Sequence, residues 1–272
     1  MRIGVRGHDF GRYSPEGLAE ALSGAGVEAV QLALQKAIEG VGSYYDVSDE
    51  LLERLKTALA ANDIEPSVLG CYIEPAAKDA GEREQQLRAF SKGIYCAAAL
   101  DAKCIGTETT DYRGEESGRV AAFDILSRSV ERMLSEAAKL DVTVAVEPVA
   151  WHTLNSPELT ALLLDRFAGS GLSVIFDPSN LFPTTAAGDQ NKLWQDCIDA
   201  FGDKVVAMHI KDGLLENGLM KPCLLGDGVI DYSSVIVPWL RAKKPDIALL
   251  REEISPISAS RDLEWMRRVF LS

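Results

Sequence analysis

Short apolar runs alternate with longer amphipathic stretches along the whole chain. The runs RIGVR, VEAVQLAL, PSVLGCY, AKCIGTE, VTVAVE, LSVIFD, VVAMHI and DIALLRE are rich in β-branched and aliphatic residues. Their length and near-continuous hydrophobicity suit strands buried on both faces. The stretches between them carry helical periodicity. From Ser48, for example, Leu51, Leu52, Leu55, Ala58 and Leu59 fall on one helical face, a stripe that points to a core. Ser14-Pro15-Glu16 and Ser156-Pro157-Glu158 each place a capping hydroxyl, a proline at the first helical position and an acid near the positive end of the helix dipole. Glycines at 24, 26, 169 and 171 are placed to close helices before the next strand. A parallel neighbour is reached only by a crossover that usually contains a helix. Eight strand-then-helix units therefore predict a closed (β/α)8 barrel. One segment departs from the rhythm. Residues 214–230 form a Gly-bearing stretch of 17 residues, longer than the usual ~2 to 6 residues between strand and helix, and predict a loop that covers a ligand.

The chain has 272 residues and shows no low-complexity tract, Pro/Gly/Ser linker or shift in composition. One domain over residues 1–272 is expected, a size common for a single α/β barrel. With 28 Lys and Arg against 41 Asp and Glu, the net charge of −13 opposes a phosphate backbone, so nucleic acid is not an expected partner. No run approaches the ~20 apolar residues of a membrane span. The start MRIGVRGHDF is strand-like and lacks a basic flank followed by an apolar run, which predicts a cytoplasmic protein. Cys71, Cys96, Cys104, Cys197 and Cys223 are odd in number and form no C-x-x-C pair. They are expected to be reduced thiols acting as small buried hydrophobes.

In a barrel the active site is assembled at the C-terminal ends of the strands, so polar residues that end apolar runs carry the information. The fifth run ends at Glu147, the sixth at Asp177, the seventh at His209 and the eighth at the pair Glu252 and Glu253. Three carboxylates and an imidazole facing one axis repel and desolvate one another unless a cation neutralises them. That conflict predicts a divalent metal. Strand alternation places Ala145 and Thr143 inward with Glu147, and Ala207 and Val205 inward with His209. Glu252 inward brings Leu250 and Ala248, whereas Glu253 inward brings Arg251 into the same space, so Glu252 is the expected ligand. The chain has three histidines, His8, His152 and His209, and all lie at or just beyond the ends of the first, fifth and seventh strands.

These residues resemble the xylose-isomerase-like barrel superfamily, in particular its sugar phosphate isomerase/epimerase-like branch. The resemblance runs in order through RGHDFG, VQLALQKA, LGCYIEP, GTETTDYRG, VAVEPVAWHT with SPE, IFDPSNLF, MHIKDG, GDGVIDY and LLREEI. It implies that Glu147, Asp177, His209 and Glu252 bind one divalent metal ion, with Mn²⁺, Mg²⁺ or Co²⁺ suited to the oxygen-rich set and Zn²⁺ also compatible. It further implies isomerase or epimerase chemistry on a small sugar, sugar phosphate or polyol-derived ketone through an enediolate, with Glu147 and Glu252 also serving as the acid/base pair. His152 and Asn180 are then expected to hold substrate hydroxyls. His8, Glu108 and Lys36 line the same mouth, and Lys211 balances charge beside His209.

The departures narrow the reading. Ketohexose 3-epimerases of this fold carry a second Glu six residues after the strand-five ligand, a His three after the strand-six ligand and an Arg six after the strand-seven His. This chain has Thr153, Asn180 and Leu215 there. The apurinic endonucleases of the same superfamily add histidines and an Asp-x-His pair before a Gly-acid-Gly turn. Here the turn is Gly226-Asp227-Gly228, preceded by Met220 and Pro222, and the third run offers Cys71 where a histidine would stand. A DNA-repair endonuclease and a non-catalytic sugar-binding barrel remain the alternative classes. The expected partner is a small sugar-like molecule, with no membrane involved, and homo-oligomers are left open.

Overall fold

The computed structural model describes residues 1–182, 189–216 and 219–272. All eight apolar runs form strands, and a hairpin adds two more. In chain order these are β1 (Arg2–Arg6), β2 (Ala29–Leu32), β3 (Glu65–Gly70), β4 (Cys104–Glu108), β5 (Val144–Glu147), β6 (Leu172–Phe176), β7 (Val205–Ile210), β8 (Gly213–Glu216), β9 (Leu219–Pro222) and β10 (Ala248–Arg251). β1 to β7 and β10 close a barrel in the order β1-β10-β7-β6-β5-β4-β3-β2, every neighbouring pair parallel. The fold is the expected TIM barrel.

Helices α1 (Pro15–Gly24), α2 (Leu34–Ala37), α3 (Asp49–Ala61), α4 (Ala80–Ala99), α5 (Glu116–Ala137), α6 (Pro157–Arg166), α7 (Pro178–Leu181), α8 (Gln190–Phe201), α9 (Ile236–Lys243) and α10 (Pro256–Met266) make the crossovers. Their ends follow the local signals. Ser14, Ser48 and Ser156 accept from Gly17 N, Leu51 N and Leu159 N, each satisfying one of the amides that a helix start leaves unpaired. Gly26 and Gly171 turn the chain back towards the barrel at φ values of 70° and 81°, where a side chain would be strained. No helix among the described residues is long and apolar enough to cross a membrane. Cys71, Cys96, Cys104 and Cys197 are buried, Cys223 is half-buried, and all five are free.

Two cores result. The larger lies between barrel and helices. The smaller fills the barrel with Ala29, Val68, Cys104, Ala145, Ile175, Ala207, Ala248 and Leu250. Packing there is tight enough that a Cβ built on Gly106 would sit 2.4 Å from Ile175 Cδ1. This apolar plug is the floor beneath the polar strand ends. It confirms the inward set Ala145, Ala207, Ala248 and Leu250 read from alternation, with one correction. Val205 belongs to the outer core, and Val206 packs against the plug instead. β6 and β7 pair Val174 with Val205 and then Ile175 with Ala207, so the extra residue forms a bulge that reverses the alternation below Ala207.

Residues 214–230 are not a plain loop. β8 and β9 pair antiparallel from Gly213↔Pro222 to Glu216↔Leu219. The return is anchored by Asp212, whose carboxylate accepts from the amides of Gly213 (2.9 Å), Gly226 (3.0 Å), Gly228 (3.1 Å) and Ile230 (3.2 Å). The Gly226-Asp227-Gly228 turn is therefore a cradle for a carboxylate, and a Cβ at Gly228 would fall 2.0 Å from Asp212 Oδ1. A buried Arg251 seals the other side. It donates to Asp262 (2.8 Å) and to the carbonyls of Ile210 (3.4 Å), Glu252 and Cys223 (3.1 Å).

Candidate metal centre

Directly above the plug, Glu147, Asp177 and His209 bring a carboxylate oxygen, a second carboxylate oxygen and an imidazole nitrogen within 4.8 Å of one another. They are 2%, 0% and 0% exposed. His209 Nδ1 lies 3.2 Å from Glu147 Oε2, 3.6 Å from Glu252 Oε1 and 4.0 Å from Asp177 Oδ2. Glu252 thus completes the group from the end of β10, with 3% exposure. Glu253 is exposed and sits at φ 58°, so of the two adjacent acids Glu252 is the one that faces the group.

The carboxylates are oriented by local structure. Asp177 caps α7, its Oδ1 accepting from Ser179 N (2.9 Å), Ser179 Oγ (2.9 Å) and Asn180 N (3.2 Å). Only Oδ2 is left to face the centre. Asn180, expected to meet a substrate hydroxyl, is engaged by two side chains of the centre. Its Nδ2 donates to Glu147 Oε1 (2.6 Å), and its Oδ1 accepts from Lys211 Nζ (3.2 Å). Lys211 Nζ also lies 2.8 Å from Asp177 Oδ2 and 3.0 Å from Glu252 Oε2, the charge-balancing position expected of it.

Charge conflict dominates the electrostatics. Burial alone would depress the His209 imidazole, but Glu252, Glu147 and Asp177 outweigh it and raise its pKa to about 9. Burial likewise works against the Lys211 ammonium and is overcome by Asp177, Glu252 and Glu147, which push its pKa well above the usual lysine value. For Glu252, burial favours the neutral acid, yet His209, Lys211 and Arg6 hold it far below the usual carboxylate range. Among the described residues, His209 Nδ1 is a buried polar atom without a well-formed hydrogen bond, while Asp177 Oδ2 has the Lys211 ammonium against it at 2.8 Å. An imidazole lone-pair position surrounded by three carboxylates is a donor set that fits a divalent cation.

The first half of the barrel supplies the rim. Glu108 pairs in register with Glu147, and burial followed by repulsion from Glu147 raises its pKa to about 7. His152 Nε2 lies 3.7 Å from Glu108 Oε2. Burial lowers the His8 and His152 imidazoles to about 4, so both are neutral at pH 7, and each keeps a buried Nδ1 without a partner among the described residues. Lys36 is exposed, with its ammonium 5.4 Å from the centroid of the Tyr72 ring. Asn180 uses one donor and one acceptor on other side chains of the centre, half of what a carboxamide offers.

Three contributors were not singled out from the sequence. Arg6 binds Asp9 (2.8 Å) and approaches Glu252 Oε2 (3.6 Å). Gln31, fully buried, meets His209 Nε2 at 2.5 Å through its Oε1. Its Nε2 donates to the Tyr72 hydroxyl and lies 3.4 Å from Glu252 Oε1. The signal for Gln31 was present, since one amide in the middle of VEAVQLAL must find buried partners. Tyr72 was obscured by Cys71 beside it. β3 ends at Gly70, Cys71 packs in the outer core, and the residue that reaches the centre is Tyr72.

No curated protein matches this chain in sequence. Several solved structures share its fold. A D-tagatose 3-epimerase-like protein superposes with a TM-score of 0.80 at 15% identity, over 99% of this chain and 97% of that one. A D-psicose 3-epimerase crystallised in the presence of D-fructose gives 0.76 at 14% identity over 100% of both. Endonuclease IV from Thermus thermophilus gives 0.72 at 17% identity over 98% of both. The sequence profile of the xylose isomerase-like TIM barrels matches residues 19–269, nearly the whole chain, and the protein belongs to that family.

Proposed function

We propose that this protein is a divalent-metal-dependent isomerase or epimerase of a small sugar, sugar phosphate or polyol-derived ketone. The observation that carries the reading is the buried convergence of Glu147, Asp177 and His209 with Glu252 beside them, where the His209 Nδ1 position has the Glu147 and Glu252 carboxylates at 3.2 Å and 3.6 Å. Glu147, Asp177, His209 and Glu252 would hold the ion. When bound, it supplies Lewis acidity that favours loss of a proton next to a carbonyl.

The chain's own groups account for the remaining roles. Glu147 and Glu252 flank His209 Nδ1 and are the pair that removes and returns the substrate proton. Asn180 and Lys211 hold these carboxylates in place. His8, His152 and Glu108 on the rim contact hydroxyls. Neutral imidazoles both donate and accept, which suits a polyol. The epimerases among the structural neighbours support the same class of chemistry. Against a nuclease stand the acidic net charge and the absence of metal-ligand chemistry at Met220 and Pro222.

The test is a panel of keto sugars, sugar phosphates and inosoles incubated in D₂O with Mn²⁺, Mg²⁺ or Co²⁺. Metal-dependent deuterium incorporation next to the carbonyl is expected, and its loss in Glu147→Gln. Failure of the purified protein to retain or regain any divalent ion would refute the reading. So would unchanged metal binding in Glu147→Gln and His209→Asn.

A further inference from the structure

Gln31 is a fully buried polar side chain in a strand whose other residues, Ala29, Val30 and Leu32, are buried and apolar. An amide survives in such a place only if its partners are built in. All of its partners belong to the centre: His209 Nε2 (2.5 Å), the Tyr72 hydroxyl, and Glu252 Oε1 (3.4 Å). The amide has one workable orientation. The Glu252 carboxylate offers acceptor oxygens, with Oε1 3.4 Å from the amide, so it must face the Gln31 NH₂. A flipped amide would set its carbonyl oxygen against that carboxylate. Gln31 Oε1 is therefore the atom that meets His209, and because it too only accepts, His209 Nε2 must carry a proton.

We infer that Gln31 is a positioning residue that makes Nδ1, and not Nε2, the metal-binding nitrogen of His209. It holds the ring with Nε2–H directed at its own carbonyl, so that the remaining nitrogen points between Glu147 Oε2 and Glu252 Oε1 at 3.2 Å and 3.6 Å. Ligand histidines are commonly oriented by an acceptor on their second nitrogen. Here a neutral amide does so, and the same amide binds the Tyr72 hydroxyl, so the His209 ring and the Tyr72 side chain are set by one group. The inference rests on the metal-binding reading proposed above.

The experiment uses the full chain with ¹⁵N-labelled histidine, loaded with ¹¹³Cd²⁺, together with Mn²⁺ titrations of wild type and Gln31→Leu. His209 is identified by the loss of its signals in His209→Asn. In wild type, cadmium coupling is expected at His209 Nδ1, with a slowly exchanging proton on Nε2. Gln31→Leu is expected to exchange that proton faster and to raise the metal dissociation constant ~10 to 100-fold. Cadmium bound through Nε2 in wild type overturns the inference, and that measurement stands even if the variant fails to fold. A folded Gln31→Leu with unchanged affinity and proton exchange also overturns it. Wild-type protein that binds no divalent ion would instead overturn the proposed function and this inference together.

Discussion

Lys211 offers a direct test of the charge conflict at the heart of the centre. Its ammonium is 8% exposed and lies 2.8 Å from Asp177 and 3.0 Å from Glu252. At an effective dielectric constant of ~20, each contact is worth about 6 kcal/mol before desolvation, and desolvating the lysine takes back several kcal/mol. Breaking a buried pair by removing one partner typically costs ~3–5 kcal/mol, because the other charge stays buried. Lys211→Met keeps the volume and removes the charge. Glu147, Asp177 and Glu252 then face protonated His209, with Arg6 at the edge. For a domain of this size, such a loss lowers the melting temperature by about 6–20 °C. The loss should depend on metal. A divalent ion supplies the missing charge, and at 100 times its dissociation constant it adds about 2.7 kcal/mol to either protein. The variant should bind it more tightly, having lost a competing cation. The assay is thermal unfolding of both proteins in EDTA and in the same fixed concentration of Mn²⁺. A variant that melts within about 2 °C of wild type in EDTA, well short of the expected loss, or that gains no more from Mn²⁺ than wild type, refutes the reasoning.

Three further outcomes follow from other parts of the structure. Asp262→Ala strips the buried Arg251 of its only carboxylate partner among the described residues and should cost ~3–5 kcal/mol. Arg251→Met/Asp262→Leu should recover much of that loss in urea unfolding, and a double variant no better than the single one contradicts the account. Gly106→Ala drives a methyl into Ile175 and should cost ~1–3 kcal/mol by overpacking, eased by adding Ile175→Val. The rim sets opposite pH slopes in the metal-free protein. Glu108 binds its proton more tightly when folded, at about 7, so its contribution is present at low pH and is lost as pH rises from about 4.5 to 7. His152 binds its proton less tightly, at about 4, so its contribution is present above about 6.5 and is lost as pH falls to 4. Glu108→Gln should flatten the first slope and His152→Gln the second, read from unfolding midpoints across pH. Unchanged profiles would show that neither group is perturbed by folding.

Much of the site is legible in the sequence because side-chain alternation is a local property of extended backbone. Ala145 under Glu147, Ala207 under His209, and Leu250 under Glu252 with Arg251 turned away all follow from a period of two. The caps at Ser14, Ser48 and Ser156 are likewise local, each acting within one helical turn. Alternation fails at Val205, where β6 and β7 differ by one residue in their pairing. A bulge belongs to two strands at once and cannot be read from either. Residues 214–230 do hold one local hairpin signal, Asn217-Gly218, but the tie of the return to Asp212 is long-range and is absent from the local pattern.

By itself, then, the sequence determined the eight strand and helix units, the polar residues that end them, and a charge imbalance needing a cation. Tertiary structure decided which of those groups meet. Gln31 and His209 are separated by 178 residues, and Gln31 and Glu252 by 221. Closure of β1 onto β10 brings them within hydrogen-bonding distance across the barrel mouth. The meeting of Asn180 with Glu147 and Lys211 is of the same kind. Local periodicity says which way a side chain points; only the closed barrel sets which atom it finds there.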